Sequence, residues 1–293
     1  MTPGVDLDVE ALLRLRHLAA RMRDIRTLPR STMPGDIIHK RRGRGLEVHD
    51  VRPWVEGDDI RHLDQNATAR TGVPHTKTYF DERERSILLV ADFRPSMLFG
   101  TRRAFRSVAG AEALAMLGWR GVGRGGRVGC LAATARGTRF SRQGRGERAM
   151  IAHVGVLAEA HRAALADREP RDPPLAEVLE TTERLAGTGS TIVVATALDA
   201  PGRDFDDVVL RLTRKHDLVF LLVEDAFESE PPPGDYPFST AEGVSGWLLI
   251  DRKRASDAVD RVARLRRLGA QGARFASATA PEESLQVLEK IDG

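Results

Sequence analysis

Ser86-Ile-Leu-Leu-Val-Ala-Asp92 is an apolar run closed by a carboxylate. A strand with one wet face alternates apolar and polar residues. A strand apolar at every inner position is covered on both faces, as in a parallel sheet between helix layers. Outward from this run the same grammar repeats. An Ala-rich helical stretch follows at about 102–120, then a strand at Gly126–Ala133 and helices at Glu147–Ala163 and Leu175–Ala186. A strand is expected at Thr191–Ala197, a helix at Asp204–His216 and a strand at Leu218–Val223. Val244–Ile250 and Arg274–Ala278 are further candidate strands, Asp257–Leu268 is a helix stopped by Gly269, and Glu282–Ile291 is a closing helix. Strands alternating with helices predict an α/β fold with a doubly wound, mostly parallel sheet. Pro231-Pro-Pro-Gly and Asp235 mark 229–240 as a surface loop.

Upstream the pattern differs. Residues 6–28 read as one amphipathic helix, with Ala11, Leu15, Leu18, Met22 and Ile25 on one face. Residues 29–45 are a Pro/Gly/Arg connector, and 46–80 are polar, with short strand-like pieces at Leu46–Val48 and His75–Phe80. The expected division is 1–83, an N-terminal helix and extension packed on the main domain, and 84–293, the α/β domain.

The chain has 293 residues, about 41% apolar, and a net charge of +3, a near-balance that argues against a protein devoted to coating nucleic acid. Only five of its 45 basic residues are lysines, a bias that a GC-rich genome explains as readily as a function. The average hides two segments of opposite sign: residues 14–45 carry ten basic against two acidic side chains, and residues 171–240 carry six against fourteen. The single cysteine, Cys130, excludes an internal disulfide. No apolar window is long enough to span a membrane and no signal core opens the chain, so a reduced, cytoplasmic protein is expected.

Several motifs dissolve on their context. Gly121-Val-Gly-Arg-Gly-Gly126 fits a dinucleotide-binding spacing, but it follows a helix and precedes a strand, the reverse of what a pyrophosphate site needs. The eight histidines show no metal-ligand spacing. Gly57-Asp-Asp-Ile-Arg-His-Leu-Asp64 gathers Asp58, Asp59 and Asp64, but Arg52, Arg61 and Arg70 lie close in sequence, so local carboxylate–guanidinium bridges are expected there rather than a hydrolytic metal site. Asp92-Phe-Arg-Pro-Ser96 is different. It closes the first buried strand, where open α/β sheets gather ligands, and offers a carboxylate followed by a hydroxyl.

An ordered set of pieces carries a resemblance. Gly43-Arg-Gly-Leu-Glu47, Val51-Arg-Pro53, Glu56-Gly-Asp-Asp-Ile-Arg-His-Leu-Asp64, Ala67-Thr-Ala-Arg-Thr-Gly72, Lys77, Asp92 with Pro95-Ser-Met97, Phe99-Gly100 and Gly126-Arg-Val-Gly129 together resemble the family called domain of unknown function 58, clearly over residues 40–150. The resemblance implies a von Willebrand factor A-type domain of the short soluble kind, preceded by a signature segment that includes Arg52, Asp58, Asp59, Arg61, Asp64 and Arg70. It also implies association with a MoxR-type AAA+ ATPase. The A-type domain usually holds Mg²⁺ in a D-x-S-x-S site completed by a loop threonine and a later aspartate. This chain keeps Asp92 and Ser96 but has Arg94 for the first serine, Asp172-Pro-Pro-Leu175 where the threonine piece belongs, and Ala197 in the aspartate's place, with Asp199 two positions on.

A hard cation wants about six oxygens and compensating negative charge. Two oxygens are lost here and a guanidinium is added, so Arg94 is expected to bridge Asp92 in the cation's stead. The resulting expectation is a non-enzymatic protein-interaction module with a degenerate metal site, no cofactor, and a face formed by Asp92, Arg94 and Ser96. It would work with a MoxR-type ATPase on client proteins. Two alternatives stay open: a working Mg²⁺ site from Asp92, Ser96 and Asp199, and nucleic-acid binding through 14–45, which has no aromatic residue for stacking.

Overall fold

The computed structural model describes residues 2–22, 48–55, 60–79, 86–168, 171–229, 231–239, 244–250 and 261–290. It divides into two compact units, one formed by Met1–Arg26 with Arg85–Gly293 and the other by Thr27–Glu84. The first residues thus group with the large unit, not with the segment that follows them.

The small unit holds strand β1 (Val48–Pro53), helix α3 (Gln65–Thr71) and strand β2 (His75–Tyr79), with β1 and β2 antiparallel. Asp64 caps α3 by accepting from Ala67 N–H at 2.9 Å, and Gly72, at φ 74°, ends it. The hydroxyl of Thr68 accepts from His75 N–H at 2.9 Å, fixing the helix to β2.

The large unit begins with two short helices, α1 (Val9–Arg14) and α2 (Arg16–Ala19). They replace the single helix expected over 6–28, whose last residues lie outside the described ones. The break at Leu15 turns the buried face: Leu12, Leu15, Ala19 and Met22 are covered, whereas Ala11 and Leu18 are only partly so. Trp119 Nε1–H donates to the Leu12 carbonyl at 3.0 Å and Arg120 donates to that of Met22, docking both turns.

The core follows in order: β3 (Ser86–Asp92), α4 (Arg106–Gly123), β4 (Arg127–Thr134), β5 (Gly137–Arg145), α5 (Gly146–Ala166) and α6 (Leu175–Leu185). Then come β6 (Thr191–Thr196), α7 (Phe205–Thr213), β7 (Asp217–Glu224), α8 (Ala226–Ser229), β8 (Gly234–Ser239), β9 (Ser245–Ile250), α9 (Arg261–Arg267), β10 (Gln271–Ala276) and α10 (Leu285–Glu289). The sheet order is β10-β7-β6-β3-β4-β5, parallel throughout except for β5. The expected α/β class and mostly parallel sheet therefore hold. Alternate residues of one strand serve opposite cores. Leu89 and Ala91 join the cluster under α4 and α5, while Leu88 and Val90 join the one under α6 and α7. That two-sided burial is why the run from Ile87 to Ala91 has no polar position.

Helix α4 lies close on the sheet because it carries small residues. A Cβ on Gly118 would sit 2.7 Å from Met150 Sδ and 2.9 Å from Leu89 Cδ1, and one on Gly121 would sit 2.8 Å from Ile87 Cδ1. Gly121-Val-Gly-Arg-Gly-Gly126 is the end of this helix and the turn into β4, with Gly125 at φ 77°. Cys130 is fully buried in β4 and its thiol is pushed up to about 12 by burial, which makes it unreactive in the folded state.

Two strand readings change. The surface loop expected at 229–240 contains β8, which pairs antiparallel with β9 in a separate two-stranded sheet, so Val244–Ile250 is a strand outside the main sheet. The alternation Tyr236-Pro-Phe238 outweighs the Pro/Gly signals before it. Strand β5 carries Arg139, Arg142 and Arg145 and lies at a sheet edge, so its polar face masked it in the sequence.

Candidate functional site

The main sheet reverses its direction of winding between β3 and β6, because β3 continues to β4 on one side and β6 to β7 on the other. Beyond the carboxyl ends of such a strand pair the loops part and leave room for a ligand. Asp92 ends β3 there, and Thr196 ends β6.

Asp92 and Arg94 are both buried, at 1% and 0% exposure. Arg94 folds back onto the carboxylate as a fork, Nε to Oδ1 at 2.9 Å and NH2 to Oδ2 at 2.8 Å. The backbone N–H of Arg94 adds a bond to Oδ1 at 3.0 Å, and the Thr196 hydroxyl donates to Oδ2 at 2.7 Å. A carboxylate has about four acceptor sites, and these four donors use them. The rest of the guanidinium collects carbonyls: NH1 donates to Pro173 O at 2.6 Å and Ala200 O at 3.3 Å, and NH2 to Asp199 O at 3.0 Å. Burial opposes the guanidinium's charge, but Asp92, Asp172 and Asp199 together hold its pKa above the ordinary arginine value.

The loop that supplies two of those carbonyls is strained. Leu198 and Ala200 adopt φ of 63° and 44°, a left-handed conformation that costs roughly 1–3 kcal/mol per non-glycine residue. It is held by its own bonds: Leu198 N–H donates to the Thr196 hydroxyl at 3.0 Å, and Leu175 N–H to Ala200 O at 2.9 Å.

Ser96 stands beside this clamp. Its N–H donates to Asp172 Oδ1 at 3.0 Å, its carbonyl accepts from Arg106 NH2, and its hydroxyl is buried with no partner. Asp199 reaches the site through its backbone, while its carboxylate lies 3.3 Å from Arg106 NH1. Arg106 also holds Glu228 at 2.8 Å and stacks over Phe99 at 5.4 Å, and Arg261 donates to Ala197 O at 2.8 Å. Burial raises the Asp199 carboxyl above its ordinary range; Arg106 and Arg261 oppose that shift, and Glu228 and Asp172 reinforce it. Next to this network, the buried Asp225 receives Thr101 Oγ1, Thr101 N–H, Phe227 N–H and Ser277 Oγ. Burial alone would raise its carboxyl, but these bonds bring it below its ordinary value.

Asp92, Arg94, Ser96 and Asp199 thus meet at one sheet end, as the sequence implied. Thr196, Arg106, Asp172, Glu228 and Arg261 complete the network and were not singled out as site residues. Asp172 did lie in the piece aligned with the lost threonine, and Thr196 directly precedes Ala197, which stands in the aspartate's place; the other three gave no motif signal. The signature residues behave otherwise. Asp58 and Asp59 lie outside the described residues. Arg52 donates to Pro53 O at 3.0 Å, Arg61 is exposed, Asp64 is a helix cap, and Arg70 lines an open pocket of about 330 Å³ with Val51, Asn66 and His75. Among the described residues, no three His, Cys, Asp or Glu side chains are grouped to hold a metal ion, and no helix is long and apolar enough to cross a membrane.

The solved structure of a conserved hypothetical protein, BatB from Bacteroides thetaiotaomicron, is similar over 71% of this chain and 98% of its own, at 13% identity and a TM-score of 0.43. Uncharacterized proteins of Mycobacterium bovis and Mycobacterium tuberculosis are 35% identical over 91 residues, a match that covers 31% of this chain and 29% of theirs. The chain therefore spans under a third of the length of the curated relatives it matches. The family model described as protein of unknown function DUF58 matches residues 50–264, from the signature segment through the Asp92–Arg94 clamp to α9, and the chain belongs to that family.

Proposed function

We propose that the large unit is a non-enzymatic protein-binding module of the von Willebrand factor A type, in which Arg94 has replaced the metal ion. The observation that carries this reading is the full occupation of Asp92 by Arg94 N, Arg94 Nε, Arg94 NH2 and Thr196 Oγ1. A Mg²⁺ ion does not fit these residues: its central carboxylate has no free lone pair, and a fixed positive charge stands against it. The sheet order, with its winding reversal at the clamp, supports the A-type assignment. The rim around the clamp, with Asp172, Asp199 and Glu228 facing Arg106 and Arg261, is the face offered to a partner. The family resemblance supports a MoxR-type AAA+ ATPase as that partner, acting on client proteins.

Two measurements test the reading. Calorimetric titration of Mg²⁺ is expected to give no heat with the native chain. Arg94→Ser, which restores a hydroxyl two residues after Asp92, is expected to gain Mg²⁺-dependent thermal stabilisation that the native chain lacks. Micromolar Mg²⁺ binding by the native chain, lost in Asp92→Ala, overturns the metal-free site and favours the Mg²⁺ adhesion reading. In the second measurement, a purified MoxR-type ATPase is expected to bind the chain equally with and without EDTA, and more weakly to Asp199→Lys. Absence of any binding overturns the partnership.

A further inference from the structure

Strand β5 closes the main sheet on one side. Among the described residues it pairs with β4 alone, so every second backbone N–H and carbonyl along it points away from the sheet. Arginines recur along this border at every third position, Arg136, Arg139, Arg142, Arg145 and Arg148, from the turn before β5 into the first turn of α5. All five are exposed. Over residues 136–168 seven arginines stand against three carboxylates, Glu147, Glu159 and Asp167. Those three are already engaged: Glu147 with Arg16 at 2.7 Å, Glu159 with Arg139 at 2.6 Å, and Asp167 in a fork with Arg136 at 2.8 and 3.0 Å. Arg142 and Arg148 have no ionic partner among the described residues.

The register shows how the row is set. Arg139 stands opposite Ala132 and reaches Glu159 on α5, and Arg145 stands opposite Arg127. Between them Ser141 pairs with Cys130 and Gly144 with Val128, which leaves both Arg142 and Gln143 against Gly129. Gln143 turns inward, its side-chain oxygen accepting from the Ser86 hydroxyl at 2.9 Å, and the bulge leaves Arg142 exposed. Residues three apart on a strand fall on opposite faces, so the row straddles the border, with successive arginines about 10 Å apart along it.

One charge at an open edge is enough to discourage other strands. A row of them also selects. A neutral or basic strand laid on β5 meets unmatched guanidiniums, whereas carboxylates on an added strand meet planar forks suited to bidentate pairing. The outward backbone groups supply affinity and the arginines supply the choice. A nucleic acid would use the charge but not the backbone groups, and the border offers no base a stacking surface: its single aromatic, Phe140, packs against the core under α6 and α7. We propose that β5 takes up an acidic, extended segment of a partner protein as an added strand, its carboxylates paired with the arginine row.

Calorimetric titration of the full chain with the peptide acetyl-Glu-Val-Glu-Val-Glu-Val-Glu-amide tests this, with backbone amide hydrogen exchange read in parallel. Saturable binding that weakens with salt is expected, together with slower exchange of the β5 amides that point away from β4. The same peptide with Lys in place of Glu is expected not to bind. Arg142→Glu, at an exposed position, is expected to weaken binding by about tenfold or more while leaving the melting temperature in place. A chain that takes up no peptide at millimolar concentration overturns the proposal. So does binding that Arg142→Glu leaves unchanged, or equal binding of a peptide with proline at its centre, which is attraction of charge without strand addition. Tighter binding of a single-stranded DNA of the same charge, with β5 exchange unaltered, overturns it in favour of phosphate backbones.

Discussion

Arg94→Ala is expected to destabilise the large unit by ~3–5 kcal/mol, the range for removing one partner of a buried ion pair. The loss is not that of a surface salt bridge, because both side chains are within 1% of full burial and Asp92 would keep its charge without its main donor. Three carbonyls, of Pro173, Asp199 and Ala200, would lose donors in the same step. The strained turn at Leu198 and Ala200 would lose the group that draws its carbonyls inward. Urea unfolding of the variant and the native chain measures the difference. A companion variant, Asp92→Asn with Arg94→Met, removes both charges but keeps an acceptor for Thr196, and is expected to recover a large part of the loss. A change below about 1 kcal/mol for Arg94→Ala would place the pair among ordinary surface bridges and sink the argument.

Acid is expected to weaken the large unit well above the carboxylate range, and His161 is the main identifiable cause. This side chain is 1% exposed on α5, its Nε2 2.9 Å from the Ser107 hydroxyl and its ring edge-on to Phe93 at 5.0 Å. Burial lowers its pKa to about 4, with Asp6 pulling weakly the other way. The unfolded chain binds a proton near pH 6.5 that the folded chain refuses until about pH 4. Stability is therefore lost as pH falls through that window, by ~3 kcal/mol at its lower end. His153 is lowered too, by burial against its bond to the Val128 carbonyl, and His216 likewise by burial, so both add to the same slope. Denaturant unfolding at pH 7 and pH 4.5 isolates His161 when repeated on His161→Gln, which keeps a polar partner for Ser107 and does not titrate. The variant is expected to lose markedly less stability between the two pH values. Equal losses would mean that His161 is protonated in the fold.

The fold was readable because its sheet is buried on both faces. Ile87–Ala91, Val193–Ala195 and Leu218–Val223 have no alternation to misread, and each was placed within a residue or two. What escaped was half-buried. Strand β5 shows arginines to solvent, and the Pro/Gly composition before β8 hid a hairpin whose Tyr236 packs against Phe227. The N-terminal stretch was read as one helix, but it breaks at Leu15 into two short ones; Leu15 and Met22 stay on the buried face, whereas Leu12 and Ala19 are covered in place of Ala11 and Leu18. At the site, Asp92 and Ser96 were legible from their place at one strand end, and Arg94 from the family resemblance that expects a serine at its position. Arg106, Glu228 and Arg261 were not, because their meeting depends on three distant elements brought to one edge, which no local pattern records.

The Arg94 clamp has a kinetic consequence as well. Besides its local bonds to Asp92, Arg94 reaches the carbonyls of residues 173, 199 and 200, contacts that span 79 to 106 positions of chain. Contacts of that span repay their loop-closure cost only after the intervening strands have paired. These three long-range contacts are therefore expected to form late, on the native side of the rate-limiting barrier. Their energy resists opening without hastening assembly. Arg94 is expected to work as a latch on the finished fold, setting how long the molecule stays closed rather than how fast it forms.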